Sequence, residues 1–278
     1  MELREPSTVA GSDALRAILA DPGRTLLGLD FDGTLAPIVQ NPEQAYVHPG
    51  AVAALRRVAP LVRAVVIITG RPVETALRLG GFRDDPELVA MVIAGQYGNE
   101  VWDAATDTVS AEPEPAGIGP AETEICGLLD DFDLPARLEH KGRALGVHTR
   151  ELPDPAGAFE ALREPLTEIA GRHGLQLEPG RNVLELRGQG KDKGDALRSL
   201  VAEKDAGQVV FVGDDLGDLP AFEAVIALRE QGIPGLLVCS ASEEQDALTS
   251  ISDVVVDGPD GVAGWLTQLA DALEQNIE

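Results

Sequence analysis

The sequence predicts an α/β protein with a parallel sheet covered on both faces by helices, and a smaller α+β domain inserted into it. Four short aliphatic runs end in polar or glycine-rich turns, as buried parallel strands do. Helical patterns lie between them, which is typical of a parallel sheet. The runs span residues 25–30, 64–69, 88–94 and 208–213. In such sheets the chemistry lies beyond the carboxyl ends of the strands.

The helices are predicted from apolar side chains that recur on one face. Residues 51–62 show this pattern, with Pro49 near the start of the helix. Residues 193–202 predict another helix, and an apolar stripe that runs from Val262 to Leu273 predicts one near the C-terminus.

The middle of the chain has a different pattern. Residues 105–120 are rich in proline, glycine, alanine and acidic residues, and are predicted to be a linker. The next elements follow the order αββαββ, which predicts an antiparallel sheet with helices on one face. They are helices over residues 121–132 and 156–173 and strands over 137–141, 144–150, 175–178 and 182–187. The predicted domains are 1–112 and 189–278, forming the core, and 113–188, forming the insert.

Composition restricts the partners. The 278 residues are 44% hydrophobic and 25% charged, as in a globular protein, but the net charge is −25. Such a surface repels nucleic-acid phosphates and anionic membranes, so neither is an expected partner. An anionic small molecule could still bind if the site supplied local cations. We expect a monomer or a weak homo-oligomer.

Three features predict a cytoplasmic location. Cys126 and Cys239 are the only cysteines and form no disulfide framework. Residues 1–13 contain no apolar stretch of the kind found in a signal peptide. The longest aliphatic run, residues 64–68, is far short of the roughly 20 residues that cross a bilayer.

The strongest motif is Asp30-Phe31-Asp32-Gly33-Thr34, directly after the first predicted strand. Its two carboxylates lie two residues apart and reach the same crevice, and Gly33 allows a sharp turn. The preceding buried strand and the position of the glycine do not fit a calcium-binding EF-hand loop. A turn stabilised only by its aspartates is the alternative.

A second motif, Gly213-Asp214-Asp215-Leu216-Gly217-Asp218, follows the last predicted strand. Three carboxylates in one loop repel one another unless a cation binds, and oxygen-only ligands favour Mg²⁺. Asp218 precedes Leu219-Pro220, so it could instead cap the next helix.

Two further segments complete the set. Thr69 and Arg71 follow the second strand and would face the same crevice as Asp30, although Thr69 could merely cap a helix. Lys193 is predicted in the first turn of a helix, where its charge opposes the helix dipole. That position is unfavourable unless an anion lies beside the lysine.

The order of DxDGT, threonine, lysine and GDDxxD resembles the haloacid dehalogenase superfamily. From about Arg24 to about Leu269 the chain is similar to its trehalose-6-phosphate phosphatase family. The stretches that carry this resemblance are LDFDGTLAPI, VIITGRP, LEHKGRALGVHTR, NVLELRGQGKDKGDAL and FVGDDLGDLPAF. The resemblance implies a Rossmann-like core with a C2-type cap. The short interval between Asp32 and Thr69 leaves no room for an earlier cap.

The resemblance also implies catalytic roles. Asp30 would attack phosphorus and form an aspartyl-phosphate, which divides one difficult displacement into two easier ones. Asp32 would protonate the leaving oxygen and later take a proton from the attacking water. Thr69 and Lys193 would hold phosphoryl oxygens.

A magnesium ion and a sugar-binding group are implied in the same way. The carboxylates of Asp30 and Asp214 and the carbonyl of Asp32 would bind Mg²⁺, with Asp215 and Asp218 positioning metal and water. The residues expected to bind substrate are Arg71 in the core and Lys141, His148, Arg150 and Glu185 in the insert. A solvated outer sheet face is the alternative for the insert residues.

Two segments depart from the family pattern. Gly95-Gln96-Tyr97-Gly98 replaces GNHG, and Gly217 and Leu219 alter the GDDLTDE motif. The expected reaction is hydrolysis of trehalose 6-phosphate. Another sugar phosphate is the alternative: a trehalose-like pseudo-disaccharide phosphate, sucrose phosphate or mannosyl-phosphoglycerate. A sugar-phosphate sensor without activity or a phosphotransferase is a further alternative, and the intact Asp30 and Asp32 pair argues against the sensor.

Overall fold

A computed structural model describes residues 3–83, 85–140, 142–180, 182–188, 191–241 and 248–276. The chain divides into two compact units. The core unit comprises Met1–Ala111 and Lys191–Glu278, and the inserted unit is Glu112–Gly190.

The strands are β1 (Thr25–Leu29), β2 (Ala64–Ile68), β3 (Met91–Gly95), β4 (Glu100–Asp103), β5 (Thr108–Ala111), β6 (Arg137–His140), β7 (Ala144–His148), β8 (Leu175–Gly180), β9 (Val183–Gly188), β10 (Gln208–Gly213), β11 (Gly235–Ala241) and β12 (Val254–Asp257). The α-helices are α1 (Val9–Ala20), α2 (Pro49–Val58), α3 (Val73–Gly80), α4 (Ile118–Asp131), α5 (Pro155–Arg172), α6 (Lys193–Glu203), α7 (Leu219–Glu230) and α8 (Gly258–Gln275).

The core unit contains a sheet in the order β12-β11-β10-β1-β2-β3-β4-β5. Its strands are parallel from β12 to β3, and β4 and β5 are antiparallel. From β1 the chain moves outward through β2 and β3 on one side, and β10, β11 and β12 follow in order on the other. The loops after β1, β2 and β10 therefore meet at one edge of the sheet, at its topological switch point.

Helices cover both faces of this sheet. Helices α1, α2, α3 and α8 pack on one face and α6 and α7 on the other. Every residue of β1, β2 and β10 is buried, which explains why these strands are apolar at almost every position. The predicted α/β fold with a parallel sheet is confirmed.

One predicted strand was given too early a start, and the linker prediction was wrong in part. The strand predicted over residues 88–94 begins at Met91, because Pro86–Leu88 form a 3-10 turn capped by Asp85. The linker predicted over residues 105–120 contains β5 and the first turn of α4. Strand β5 is exposed throughout, so it lacks the apolar pattern by which the other strands were predicted.

The inserted unit has the order α4-β6-β7-α5-β8-β9, and its antiparallel sheet has the order β6-β7-β9-β8. Leu145 and Val147 of β7 and Leu184 and Leu186 of β9 are buried together with apolar side chains of both helices. The strand predicted over residues 144–150 ends at His148.

Cys126 is exposed and Cys239 is buried, and neither forms a disulfide. In the parts of the chain that the structure describes, no helix is both long enough and apolar enough to cross a membrane.

Candidate active site

The loop after β1 makes a tight turn. The backbone N–H groups of Leu35 and Ala36 donate to the carbonyl of Phe31, and Gly33 donates to the carbonyl of Ala36. Gly33 has φ +80°, and a methyl group there would lie 2.0 Å from Oδ2 of Asp214. Glycine is therefore required both for the turn and for the close approach of Asp214.

Lys193 connects the loops that follow β1 and β10. Its ammonium nitrogen lies 2.5 Å from Oδ1 of Asp30 and 2.7 Å from Oδ1 of Asp218, and all three side chains are buried. Lys193 is the first residue of α6, which Asp192 and Asp195 cap. Burial acts to lower the pKa of Lys193, but the two carboxylates raise it overall, so the lysine stays charged. The anion expected beside this lysine is thus supplied by the protein.

Asp30, Asp214 and Asp218 form an acidic cluster in which one oxygen of each lies within 4.8 Å of the others. Burial raises the pKa of the Asp30 and Asp218 carboxyls, while Lys193 opposes the rise. Burial and the charges of Asp218 and Asp215 raise the pKa of Asp214 to about 7. When all three carboxyls are ionised, the cluster carries more negative charge than the one lysine balances.

The acidic cluster fits a divalent cation. Oδ1 of Asp214 is buried and has no hydrogen-bond donor among the described residues. A buried, unpaired carboxylate oxygen is costly unless a cation or a proton satisfies it. Oxygen-only donor sets of this kind suit Mg²⁺.

The side chain of Asp218 faces the acidic cluster rather than capping α7. Its Oδ2 accepts a hydrogen bond from the Asp214 backbone N–H at 2.9 Å. It makes no capping bond to α7, although it occupies the N-cap position. Asp215 lies outside the cluster, and its Oδ1 accepts from the Gly217 N–H at 2.8 Å.

Asp32 is also outside the acidic cluster, because Arg71 holds its carboxylate by two hydrogen bonds of 2.6 and 2.7 Å. The guanidinium carbon of Arg71 lies 5.4 Å from the ring centroid of Phe31. The hydrogen bonds to Asp32 raise the pKa of Arg71 above its ordinary value. The guanidinium expected to bind substrate is therefore directed at Asp32 in this structure.

Thr69 is buried directly after β2, and its Oγ1 accepts from the Arg71 N–H at 3.1 Å. Helix α3 begins only at Val73, so Thr69 is not its cap. The Val73 N–H instead donates to Oε2 of Glu100 at 3.0 Å. Thr69 stabilises the turn that carries Arg71.

These loops surround a cavity of about 480 Å³. It brings together six of the residues predicted from the sequence and several that were not predicted. The lining residues are Asp30, Asp32, Pro42, Thr69, Gly70, Arg71, Pro72, Tyr97, Lys193, Asp215 and Gly217. Sequence reasoning also missed Ser240 on β11, whose hydroxyl donates to the Gly33 carbonyl at 2.7 Å. The apolar run of β11 was the available signal for that strand.

The remaining predicted residues belong to the inserted unit. Glu185 on β9 alternates with the buried Leu184 and Leu186, so it faces away from the helices. Nε2 of His148 lies 2.6 Å from Oε2 of Glu139 on β6. Arg150 lies in the turn after β7, outside the strand in which it was predicted, and Lys141 lies outside the described residues.

The fold is that of the haloacid dehalogenase-like hydrolases. Trehalose-6-phosphate phosphatase of Aspergillus fumigatus superposes with a TM-score of 0.69 at 23% identity, over 97% of this chain and 100% of that one. A haloacid dehalogenase-like hydrolase of Bacteroides thetaiotaomicron gives 0.58 at 17% identity, over 88% and 99%.

Sequence comparison gives the family. The trehalose-phosphatase family model matches residues 28–254, and the chain belongs to this family. A trehalose-phosphate phosphatase of Mycolicibacterium paratuberculosis is 30% identical, over 98% of this chain and 72% of that protein. An uncharacterized glycosyl hydrolase of Mycobacterium tuberculosis is 31% identical over 92% of this chain, which spans only 19% of that relative's length. The predicted family resemblance is confirmed.

Proposed function

We propose that this protein is a Mg²⁺-dependent phosphatase that hydrolyses trehalose 6-phosphate to trehalose and phosphate. The observation that carries the proposal is the buried carboxylate of Asp30, which contacts Lys193 and belongs to an acidic cluster beside the cavity. A nucleophile, a fixed cation and a set of metal ligands are what phosphoryl transfer needs. Membership of the trehalose-phosphatase family supports the substrate.

The reaction has two steps. A carboxylate oxygen of Asp30 forms a bond to phosphorus while the bond from phosphorus to the sugar oxygen breaks, and Asp32 gives that oxygen a proton. Water then attacks the phosphorus of the aspartyl-phosphate, Asp32 takes its proton, and phosphate leaves with Asp30 regenerated. Thr69 and Lys193 hold the phosphoryl oxygens during both steps.

The carboxylates of Asp30 and Asp214 and the carbonyl of Asp32 would hold Mg²⁺. When bound, the ion neutralises charge on the phosphoryl group. Asp218 fixes the loop of Asp214 through its backbone N–H, as its 2.9 Å hydrogen bond supports. Asp215 would position the metal and water from the cavity wall.

The inserted unit would act as the cap that recognises the sugar. We assign this role to Lys141, His148, Arg150 and Glu185, and a further contact with substrate to Arg71. The sheet face that carries His148 and Glu185 supports the assignment. Their side chains can donate and accept hydrogen bonds, which the hydroxyl groups of a sugar need. The proposed location is the cytosol, in agreement with two unbridged cysteines.

Phosphate release from a panel of sugar phosphates tests the substrate. We expect trehalose 6-phosphate to have the highest kcat/KM, activity to disappear in EDTA, and Mg²⁺ to restore it. A higher kcat/KM for another sugar phosphate would show that the proposed substrate is wrong. Full activity in chelator would contradict the metal assignment.

Asp30→Asn tests the nucleophile. The variant keeps the shape of the side chain but cannot form the covalent intermediate, so turnover should fall by more than about a hundredfold. Acid-quenched wild-type enzyme should carry a phosphoryl group that the variant lacks. Residual activity above about a hundredth of the wild-type rate would exclude Asp30 as nucleophile.

A further inference from the structure

The turn after β3 has an unusual backbone. Three successive residues have positive φ: Gln96 at 47°, Tyr97 at 59° and Gly98 at 88°. Residues other than glycine rarely adopt this conformation, so two of them in a row need strong support from their surroundings. The segment is one of the two at which the sequence departs from the family pattern.

Hydrogen bonds attach this turn to the loop after β2. The Gln96 N–H donates to the carbonyl of Arg71 at 3.0 Å, and the Tyr97 N–H donates to the carbonyl of Thr69 at 2.9 Å. The side-chain amide of Asn99 donates to the Gln96 carbonyl at 2.7 Å. The position of Tyr97 is thus fixed relative to the two residues that precede and follow Gly70.

The side chain of Tyr97 lies over Gly70. A methyl group on Gly70 would lie 2.7 Å from the phenol oxygen and 2.9 Å from the ring carbon that bears it, so only glycine allows this approach. Tyr97 is half-buried and lines the same cavity as Asp30 and Lys193. Among the described residues that line this cavity, it is the only aromatic side chain.

We propose that Tyr97 contacts the sugar ring next to the phosphate ester and is a specificity-determining residue. This inference rests on the proposed function, in which Asp30, Thr69 and Lys193 take the phosphoryl group. The group attached to that phosphate must then lie along the remaining cavity wall, to which Tyr97 contributes. An aromatic ring packs against the apolar C–H groups of a sugar, and a phenol can hydrogen-bond to a sugar hydroxyl.

The experiment compares kcat/KM for trehalose 6-phosphate and for acetyl phosphate, whose leaving group has no ring to meet Tyr97. Tyr97→Ala should lower the ratio of the two values by about 10- to 100-fold, through lost ring contact and a lost hydrogen bond. Tyr97→Phe, which keeps the ring, should lower it by about 3- to 10-fold. The matched control is Tyr46→Phe, because Tyr46 is 58% exposed and does not line the cavity.

The outcomes separate this inference from the proposed function. If the wild type hydrolyses trehalose 6-phosphate and both Tyr97 variants lose activity equally on the two substrates, Tyr97 only supports the loop, and the inference alone is overturned. An unchanged ratio in folded variants overturns it as well. If the wild type hydrolyses acetyl phosphate but no sugar phosphate, the proposed function fails, and the sugar contact fails with it. Tyr97→Phe keeps the test decisive should Tyr97→Ala not fold.

Discussion

Arg71 holds both carboxylate oxygens of Asp32, with Nε 2.6 Å from Oδ2 and Nη2 2.7 Å from Oδ1. The side chain of Arg71 is only 13% exposed, whereas that of Asp32 is 40% exposed. A two-pronged contact of this type fixes the plane of a carboxylate as well as its position. We therefore expect Arg71 to affect the reaction by positioning Asp32, beside the substrate contact proposed for it.

A double-mutant cycle tests this relationship. Arg71→Ala should lower kcat by about 10- to 100-fold. Without Arg71 the Asp32 carboxyl is misplaced, and it then loses part of the rate enhancement that it provides as general acid and base. In an Asp32→Asn background the same change should have little further effect, since residues that act as a unit are not additive. Steady-state kcat and KM of the four proteins provide the measurement.

The surface pair of Arg198 and Asp195, separated by 2.9 Å on α6, is the matched control. Arg198→Ala should leave both kinetic constants within about twofold of wild type, because exposed ion pairs contribute little. A rise in KM of equal size in both Asp32 backgrounds would show that Arg71 binds the substrate itself.

The second prediction concerns pH and Mg²⁺. Asp214 has a pKa raised to about 7 from its ordinary 3.8, so between these values the native carboxyl keeps a proton that the unfolded chain releases. This contribution to the stability of the metal-free protein is complete below about pH 4 and is lost as pH rises through about 7. Mg²⁺ needs the ionised carboxylate, so its stabilising effect should grow over the same window.

Thermal melts in EDTA and in saturating Mg²⁺ measure this effect. The rise in Tm caused by Mg²⁺ should be several degrees larger at about pH 8 than at about pH 6. Asp214→Asn should reduce the pH dependence of this rise, because Asp30 and Asp218 remain as the other carboxyls with raised pKa values. Asp131→Asn, at an exposed position, should preserve the full pH dependence. If Mg²⁺ raised the Tm of Asp214→Asn as much as that of the wild type, Asp214 would not be a metal ligand.

The third prediction concerns Gly33. Its φ of +80° disfavours any other residue, and a methyl group would lie 2.0 Å from Oδ2 of Asp214. Gly33→Ala should lower the free energy of unfolding by about 1–3 kcal/mol and displace Asp214 from the acidic cluster. The rate of phosphate release and the affinity for Mg²⁺ should each fall by at least about tenfold.

Gly119→Ala in α4 provides the control, because a methyl group there meets nothing within 4 Å. It should keep wild-type activity and raise Tm slightly, as alanine favours a helix over glycine. Wild-type activity in Gly33→Ala would mean that the loop can relax and that the approach of Asp214 is not required.

The strands predicted from the sequence were ones whose burial leaves an apolar run in the local sequence. Strands β1, β2 and β10 are buried on both faces, so their apolar runs identified them and placed Asp30, Thr69 and Asp214 at one edge. Strand β5 is exposed and forms because it pairs with β4, a contact that depends on the fold rather than on local pattern. The antiparallel edge of the sheet was therefore missed.

The candidate site shows the same limit. The sequence indicated that Lys193 needs an anion, but Asp30 comes from a strand far away in the chain, so only the folded sheet shows the pair. For Asp218 the sequence allowed two roles, helix capping and metal binding. In the structure its side chain accepts a hydrogen bond from the Asp214 backbone N–H and makes no capping hydrogen bond to α7. Neither spacing nor composition predicts that Arg71 pairs with Asp32.

The last prediction separates the two units by function. His148 and Glu185 lie on strands of the inserted unit, away from the buried leucines of its core. If they bind the sugar, their loss removes remote binding energy, which can lower kcat as well as raise KM. His148→Ala or Glu185→Ala should therefore reduce kcat/KM for the preferred sugar phosphate by about 10- to 1000-fold, equivalent to one or two hydrogen bonds, some of them charge-assisted.

A small aryl phosphate, p-nitrophenyl phosphate, supplies the comparison, because the core unit alone contains the groups proposed for chemistry. Its slow hydrolysis should change by less than about threefold in both variants, whereas a role in folding would reduce both activities together. Glu164→Ala, at an exposed position on α5 of the same unit, should affect neither substrate. An equal loss on both substrates in His148→Ala and Glu185→Ala would show that these residues support structure and that the sugar is recognised elsewhere.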